Sequence, residues 1–202
     1  MNACSSFAIR VRGLAPGALA GVLLAAALTA CGERAAAPAP AAATAPPAAS
    51  APAAPAFDFA AWVASNAACA GGFISDVQEA GFDKTLRDAG VGISDDASVG
   101  EVGVGSGTLT PGTPIRLHGF PVRRIDFDFG SGATFAVVVE ATPEQARAAI
   151  GAKPLPQVYR DVYSEGVPMA EATEDVPMPD IRFVRAGDEP GTQEIGCAAF
   201  DG

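Results

Sequence analysis

Asp126 and Asp128 are the side chains in this sequence best spaced for acid–base or cation chemistry. They alternate with Ile125, Phe127 and Phe129, and in an extended chain that alternation puts both carboxylates on one face, ~7 Å apart. Such a separation suits a cation or a general acid/base pair. The competing reading is a solvated sheet face, because Arg124 falls on the same side and a sheet with one apolar face needs charges on the other. His118, the sole histidine, has no Ser, Asp or Cys motif beside it, so the usual catalytic triads have no support. No GxSxG, HExxH, GxxxxGKS/T or SxxK pattern occurs. Gly103-Val104-Gly105-Ser106-Gly107 has the composition of a phosphate loop but no helix after it, and reads as a flexible turn. An enzyme, a cofactor and a metal are therefore not expected. A second charged feature is the run Asp161, Glu165, Glu171, Glu174, Asp175 and Asp180, with no basic residue between its ends. Pro168, Pro177 and Pro179 hold it out of regular structure, so it reads as a semi-rigid negative loop suited to a cationic partner or simply to solubility.

The elements that must carry these residues can be read in order. Asp58 is placed to cap a helix running to about Cys69, with Phe57 stapled on Trp62 and Gly71-Gly72 as the stop. Ser75-Asp76-Val77-Gln78 has capping-box form for a second helical stretch, in which Phe82, Leu86 and Ala89 keep helical spacing up to Gly90. Residues 91–114 read as loop with one short strand near Glu101 to Val104. The strand carrying Asp126 and Asp128 turns at Gly130-Ser131-Gly132 into Ala133 to Glu140, which alternates again, and period two on both arms is a hairpin. Thr142-Pro143-Glu144-Gln145 opens a helix to about Ile150, before Gly151. A strand is expected over 155–163, and a last hairpin pairs 181–186 with 193–200. The order predicts an α+β domain with a small antiparallel sheet and helices packed on one face. No internal repeat of useful length is visible.

Charge narrows the partners. Residues 1–56 carry only Arg10, Arg12, Glu33 and Arg34, so residues 57–202 hold 10 basic and 22 acidic side chains, a net charge of −12. That balance argues against nucleic acid, which needs Lys and Arg clusters, and against direct contact of the domain with anionic lipid. The same 146 residues suffice for one core and are too few for two ordinary domains.

The N-terminus looks like an address. Arg10 and Arg12 precede an uncharged run from Gly13 to Gly32, the layout of a secretory signal. It ends in Leu28-Thr29-Ala30-Cys31, which resembles the lipobox of bacterial lipoproteins. The resemblance covers the first 31 residues and implies a signal peptide over 1–30. The mature chain would then begin at Cys31 with a thioether diacylglycerol and an acylated, palmitate-type amine. Gly32 in place of Asp implies, within that family, export to the outer membrane and a domain facing the periplasm. Ala35 to Ala56 is all Ala and Pro except Thr44 and Ser50. Its prolines forbid helix and ladder, so residues 31–56 read as a lipidated cysteine followed by an extended tether with a reach of roughly 70 Å. If Cys4 leaves with the signal and Cys31 is lipidated, Cys69 and Cys197 remain for an oxidising compartment and are expected to pair.

Two further local resemblances bear on function. Asp126-x-Asp128-x-Gly130 resembles the opening of a calcium loop, but Val137 stands where the bidentate acid belongs. Ser131-Gly132-Ala133-Thr134-Phe135 resembles the Ser-Gly-x-x-Tyr motif of periplasmic lysozyme inhibitors, with Phe135 in place of the Tyr. The expectation is a membrane-anchored, non-enzymatic protein-binding module, an inhibitor of or immunity factor against a basic cell-wall hydrolase. The alternative is a structural or accessory lipoprotein of an outer-membrane assembly.

Overall fold

The computed structural model describes residues 56–200; the expected signal peptide, Cys31 and all of the tether except Ala56 lie outside the described residues. The first helix, α1 (Phe59–Ala67), starts where Asp58 accepts a hydrogen bond from the Ala61 amide at 3.0 Å, and the Phe57 and Trp62 rings meet at 6.1 Å. Losing such a cap costs about 1 kcal/mol. Asn66 ends the helix by donating to the Trp62 carbonyl and accepting from the Phe73 amide, which turns the chain into α2 (Phe73–Gln78).

Here the structure corrects the sequence reading. The capping box at Ser75 does not form: α2 begins three residues earlier, behind Gly72, and the Ser75 hydroxyl donates to the Gly72 carbonyl. A break at Gly81, with φ 88°, separates α2 from α3 (Phe82–Asp88). The break lets Phe73 and Phe82 both reach the core, where Phe73 meets Phe135 and Phe82 meets Trp62.

The strands are β1 (Val91–Ile93), β2 (Gly105–Pro111), β3 (Arg116–Leu117), β4 (Phe120–Gly130) and β5 (Gly132–Glu140). After α4 (Pro143–Ile150) come β6 (Lys153–Pro154), β7 (Glu165–Pro168), β8 (Ile181–Ala186) and β9 (Thr192–Ala199). The expected capping box of α4 is present, with the Thr142 hydroxyl and the Gln145 side chain each accepting the other's backbone amide, and Gly151 closes the helix in the left-handed region. Two strand expectations are wrong. The early strand starts at Gly105 rather than near Glu101. Residues 155–163 make no strand: β6 is two residues long, and a 3-10 turn at Gln157–Tyr159 follows. Leu155, Tyr159 and Tyr163 are buried there, a spacing of four that belongs to a turning chain rather than to a pleat.

The fold is α+β, but the sheet is larger than expected. Nine antiparallel strands run in the order β1-β2-β4-β5-β9-β8-β7-β6, with β3 folded back on β4. The order has an approximate two-fold character that the sequence did not disclose. Helix-led meander β1-β2-β4-β5 meets helix-led meander β6-β7-β8-β9 through the β5–β9 pair. Both outer strands are short, three residues in β1 and two in β6, and β6 carries Pro154.

One sheet face carries the main core. Ile125, Phe127, Phe129, Phe135, Val137, Val139, Val184 and Ile195 pack there with Trp62, Val77, Leu86, Ala146 and Ile150 of the four helices. Cys69, just past α1, is joined to Cys197 of β9 across 128 positions, with Cα atoms 5.2 Å apart. A loop of that length is worth about 5 kcal/mol in the chain-entropy account. Among the described residues no helix is long and apolar enough to cross a membrane.

Candidate functional site: the open face and one end of the sheet

The face opposite the helices is divided. Register carries one rung from Thr108 through Asp126, Ala136, Gly196 and Phe183 to Gly166, and the next from Ser106 through Asp128, Thr134, Ala198 and Ile181 to Pro168. Both rungs begin polar and end apolar. The apolar end is covered by Leu155, Tyr159 and Tyr163, which form a second small core with Ile181, Phe183 and Ala198. The polar end stays open.

Arg124 organises the open part. Its Nε donates to Asp126 Oδ2 at 2.9 Å, Nη2 to Asp188 Oδ1 at 2.8 Å and Nη1 to Glu189 Oε1 at 3.3 Å. The Thr108 hydroxyl gives Asp126 a further hydrogen bond at 2.8 Å. The bond to Asp188 tightens the guanidinium proton against the opposing effect of burial, and the same bond draws the Asp188 carboxyl below the usual carboxylate range. Arg185 makes a parallel contact, donating to Glu194 at 2.6 Å while its guanidinium lies over the rings of Phe183 and Tyr163. Val138, beneath these charged side chains, is fully buried, which shows their stems working as an apolar cover.

Asp126 and Asp128 share the face, as alternation requires, but not the environment. Asp126 is saturated by Arg124 and Thr108, which leaves it the look of a structural carboxylate. Asp128 remains exposed, yet burial of its carboxyl pushes its pKa up, against the opposing Thr134 hydroxyl and Arg185 charge. It lines a cleft of about 680 Å³ at the end of the β4–β5 hairpin, together with Ser98, Ser106, Thr134, Tyr163 and Phe200. The Thr134 and Tyr163 hydroxyls lie 3.1 Å apart across its floor. Among the described residues no group of three or more His, Cys, Asp or Glu is placed to hold a metal.

The calcium-loop resemblance fails on backbone grounds, because Asp126 to Gly130 is straight strand rather than loop. Phe135, at the aromatic position of the Ser-Gly-x-x-Tyr resemblance, is wholly inside the core against Trp62 and Phe73. His118 sits in the β3–β4 turn with φ 52°, where burial and then the Arg182 charge lower its pKa. Of the Gly103–Gly107 turn, only the first two residues lack strand structure, since β2 starts at Gly105.

The six acidic residues are not one surface. Glu165 lies on β7 and accepts from Arg147 Nε at 2.6 Å, which takes it out of the loop. Asp161 follows the 3-10 turn, and Asp180 lines a hollow beside Cys69, Cys197 and Ile74. Glu171, Glu174 and Asp175 are exposed on the β7–β8 connection. Sequence reasoning missed Ser106, Thr134, Tyr163, Arg185, Asp188 and Glu189. Their grouping depends on the register of β9 against β5, for which no local signal exists.

No protein-family model, curated protein or solved structure matches this chain.

Proposed function

We propose that this protein is a membrane-anchored periplasmic lipoprotein whose domain binds a basic envelope protein without catalysing a reaction, as an inhibitor of or immunity factor against a cell-wall hydrolase. The observation that carries the reading is electrostatic. Asp161, Glu171, Glu174, Asp175 and Asp180 take part in no ion pair among the described residues, so their charge is uncompensated and faces solvent. Unpaired surface carboxylates add little to the stability of their own fold and much to the capture rate of a cationic partner. The Leu28 to Cys31 lipobox supports the anchoring.

The test is inhibition of chicken-type and goose-type lysozymes, and of any basic hydrolase encoded beside the gene, by the purified chain. Inhibition that weakens steeply as salt is raised is expected, because the attraction is screened over about 10 Å at 0.1 M ionic strength. Activity of every such hydrolase left untouched at low salt overturns the proposal. An unchanged gel migration after globomycin treatment overturns the lipid anchor separately.

A further inference from the structure

The apolar side chains left in solvent are gathered rather than scattered. Six of the seven large exposed ones, Ile74, Val102, Val104, Val162, Met169 and Val176, belong to segments at the end of the sheet where the β4–β5 hairpin turns. Val104 packs beside Gly130 at the hairpin tip and shares the Asp128 cleft with Val162. Ile74 lines a hollow with Gly103, Phe129 and Gly130. Met169 and Val176 lie on the β7–β8 connection, which leaves the sheet at the same end because Ile181 faces Ala198 and Ala133 faces Ala199. Val102 and Val104 are 87% and 84% exposed, although β-branched side chains ordinarily pack on a sheet. An apolar cluster of this kind on a soluble surface marks a docking site.

Charge says what docks. The five stretches that build this end, residues 73–80, 98–108, 128–136, 161–180 and 195–200, contain ten carboxylates, of which Glu165 is paired with Arg147, and no Lys, Arg or His of their own. An anionic lipid surface or an acidic protein would be repelled. We infer that this end receives a protein surface on which an apolar side chain is ringed by Lys or Arg. The apolar anchor rests on Val102 and Val104, and one basic side chain enters the cleft to meet Asp128. The inference rests on the proposed binding role and deepens it by assigning the face, which is the sheet's end and not the Arg124 network, whose charges are already paired.

The experiment is isothermal titration and hydrogen exchange on the full chain in its Cys31→Ser form, which lacks the expected acylation point. The probe is an amphipathic Leu/Lys peptide, with a Ser/Lys peptide of equal length and charge beside it. Tighter binding of the Leu/Lys peptide is expected, with protection over residues 100–106 and 128–134. Replacing Val102 and Val104 together by Ser should weaken it roughly tenfold or more, and both lie in an exposed segment whose loss leaves the core intact. Asp128→Asn should lower the salt dependence. Equal binding of the two peptides, or protection centred on Arg124, Asp188 and Glu189, overturns the inference. A hydrolase inhibited undiminished by the Val102/Val104 double variant also overturns it while leaving the proposed function standing. Peptide docking as described, without inhibition of any hydrolase, does the reverse.

Discussion

The two meanders answer the same geometric problem in opposite ways. Asp126 in the first and Phe183 in the second are mates on one rung, each one strand removed from the Ala136–Gly196 pair at the middle of the sheet. One is a half-buried carboxylate held by Arg124 and Thr108, and the other a fully buried aromatic. The cause lies in the connections. The β1–β2 connection folds toward the helices, placing Ala97 and Val99 on the main core and tying the Gly100 amide to the Val77 carbonyl. Its counterpart between β6 and β7 folds the other way and lays Tyr159 and Tyr163 over the outer face. One topology thus yields a sealed half and an open half, and the side chosen by a single loop decides which part of the outer face is left uncovered.

The largest break in that comparison comes from the bond that ties the halves. Replacing Cys69 and Cys197 by Ala should cost about 3–5 kcal/mol in urea unfolding, with reduction of the parent chain giving a similar loss. A loss below ~1 kcal/mol would mean that the β5–β9 ladder alone holds the halves together. Next are the rung mates. Phe183→Ala should cost about 3–5 kcal/mol by leaving a cavity. Asp126→Ala should cost about 1 kcal/mol or less, since Arg124 keeps Asp188 and Glu189 as partners. Equal costs at the two positions would contradict the division into sealed and open halves.

The smallest effect is on pH dependence. Asp128 has a folded pKa above its unfolded value, so the native state holds its proton more firmly, and stability due to this group falls as pH rises through the interval between the two. Asp128→Asn should remove that fall, leaving a variant that gains on the parent toward neutral pH in chemical denaturation. Asp188 works with the opposite sign: its depressed pKa contributes stability above the carboxylate range that is lost on acidification.

Two helix caps, the two hairpins and the distant Cys69–Cys197 pairing were readable in the sequence, whereas the Ser75 capping box was not realised and the order of the strands in the sheet was not readable. Asp58, Thr142 and the alternation of residues 124–140 each act within a few residues of themselves, and each appears in the structure as expected. β2 was missed because Gly105, Ser106 and Gly107 look like turn residues, although Gly107 must be small where a Cβ would collide with Ala97 and the Phe127 ring. The segment 155–163 was misread because its apolar residues suit a strand as readily as a cover, and only the apolar outer face of β8 decides between them. That Arg124 shares the face of Asp126 and Asp128 and can neutralise one of them was legible; that the partner is Asp126 was not. The different environment of Asp128 was not, since the cleft walls come from residues 98, 163 and 200.

The brevity of β1 and β6 has a consequence for copies crowded together on any surface. An unpaired strand edge is a template on which a neighbour's chain can add, but here the margins offer three residues at one side and a proline-bearing pair at the other. Polymerisation edge to edge has almost nothing to grip, so neighbouring copies brought close together would have to meet by surfaces other than their strand margins.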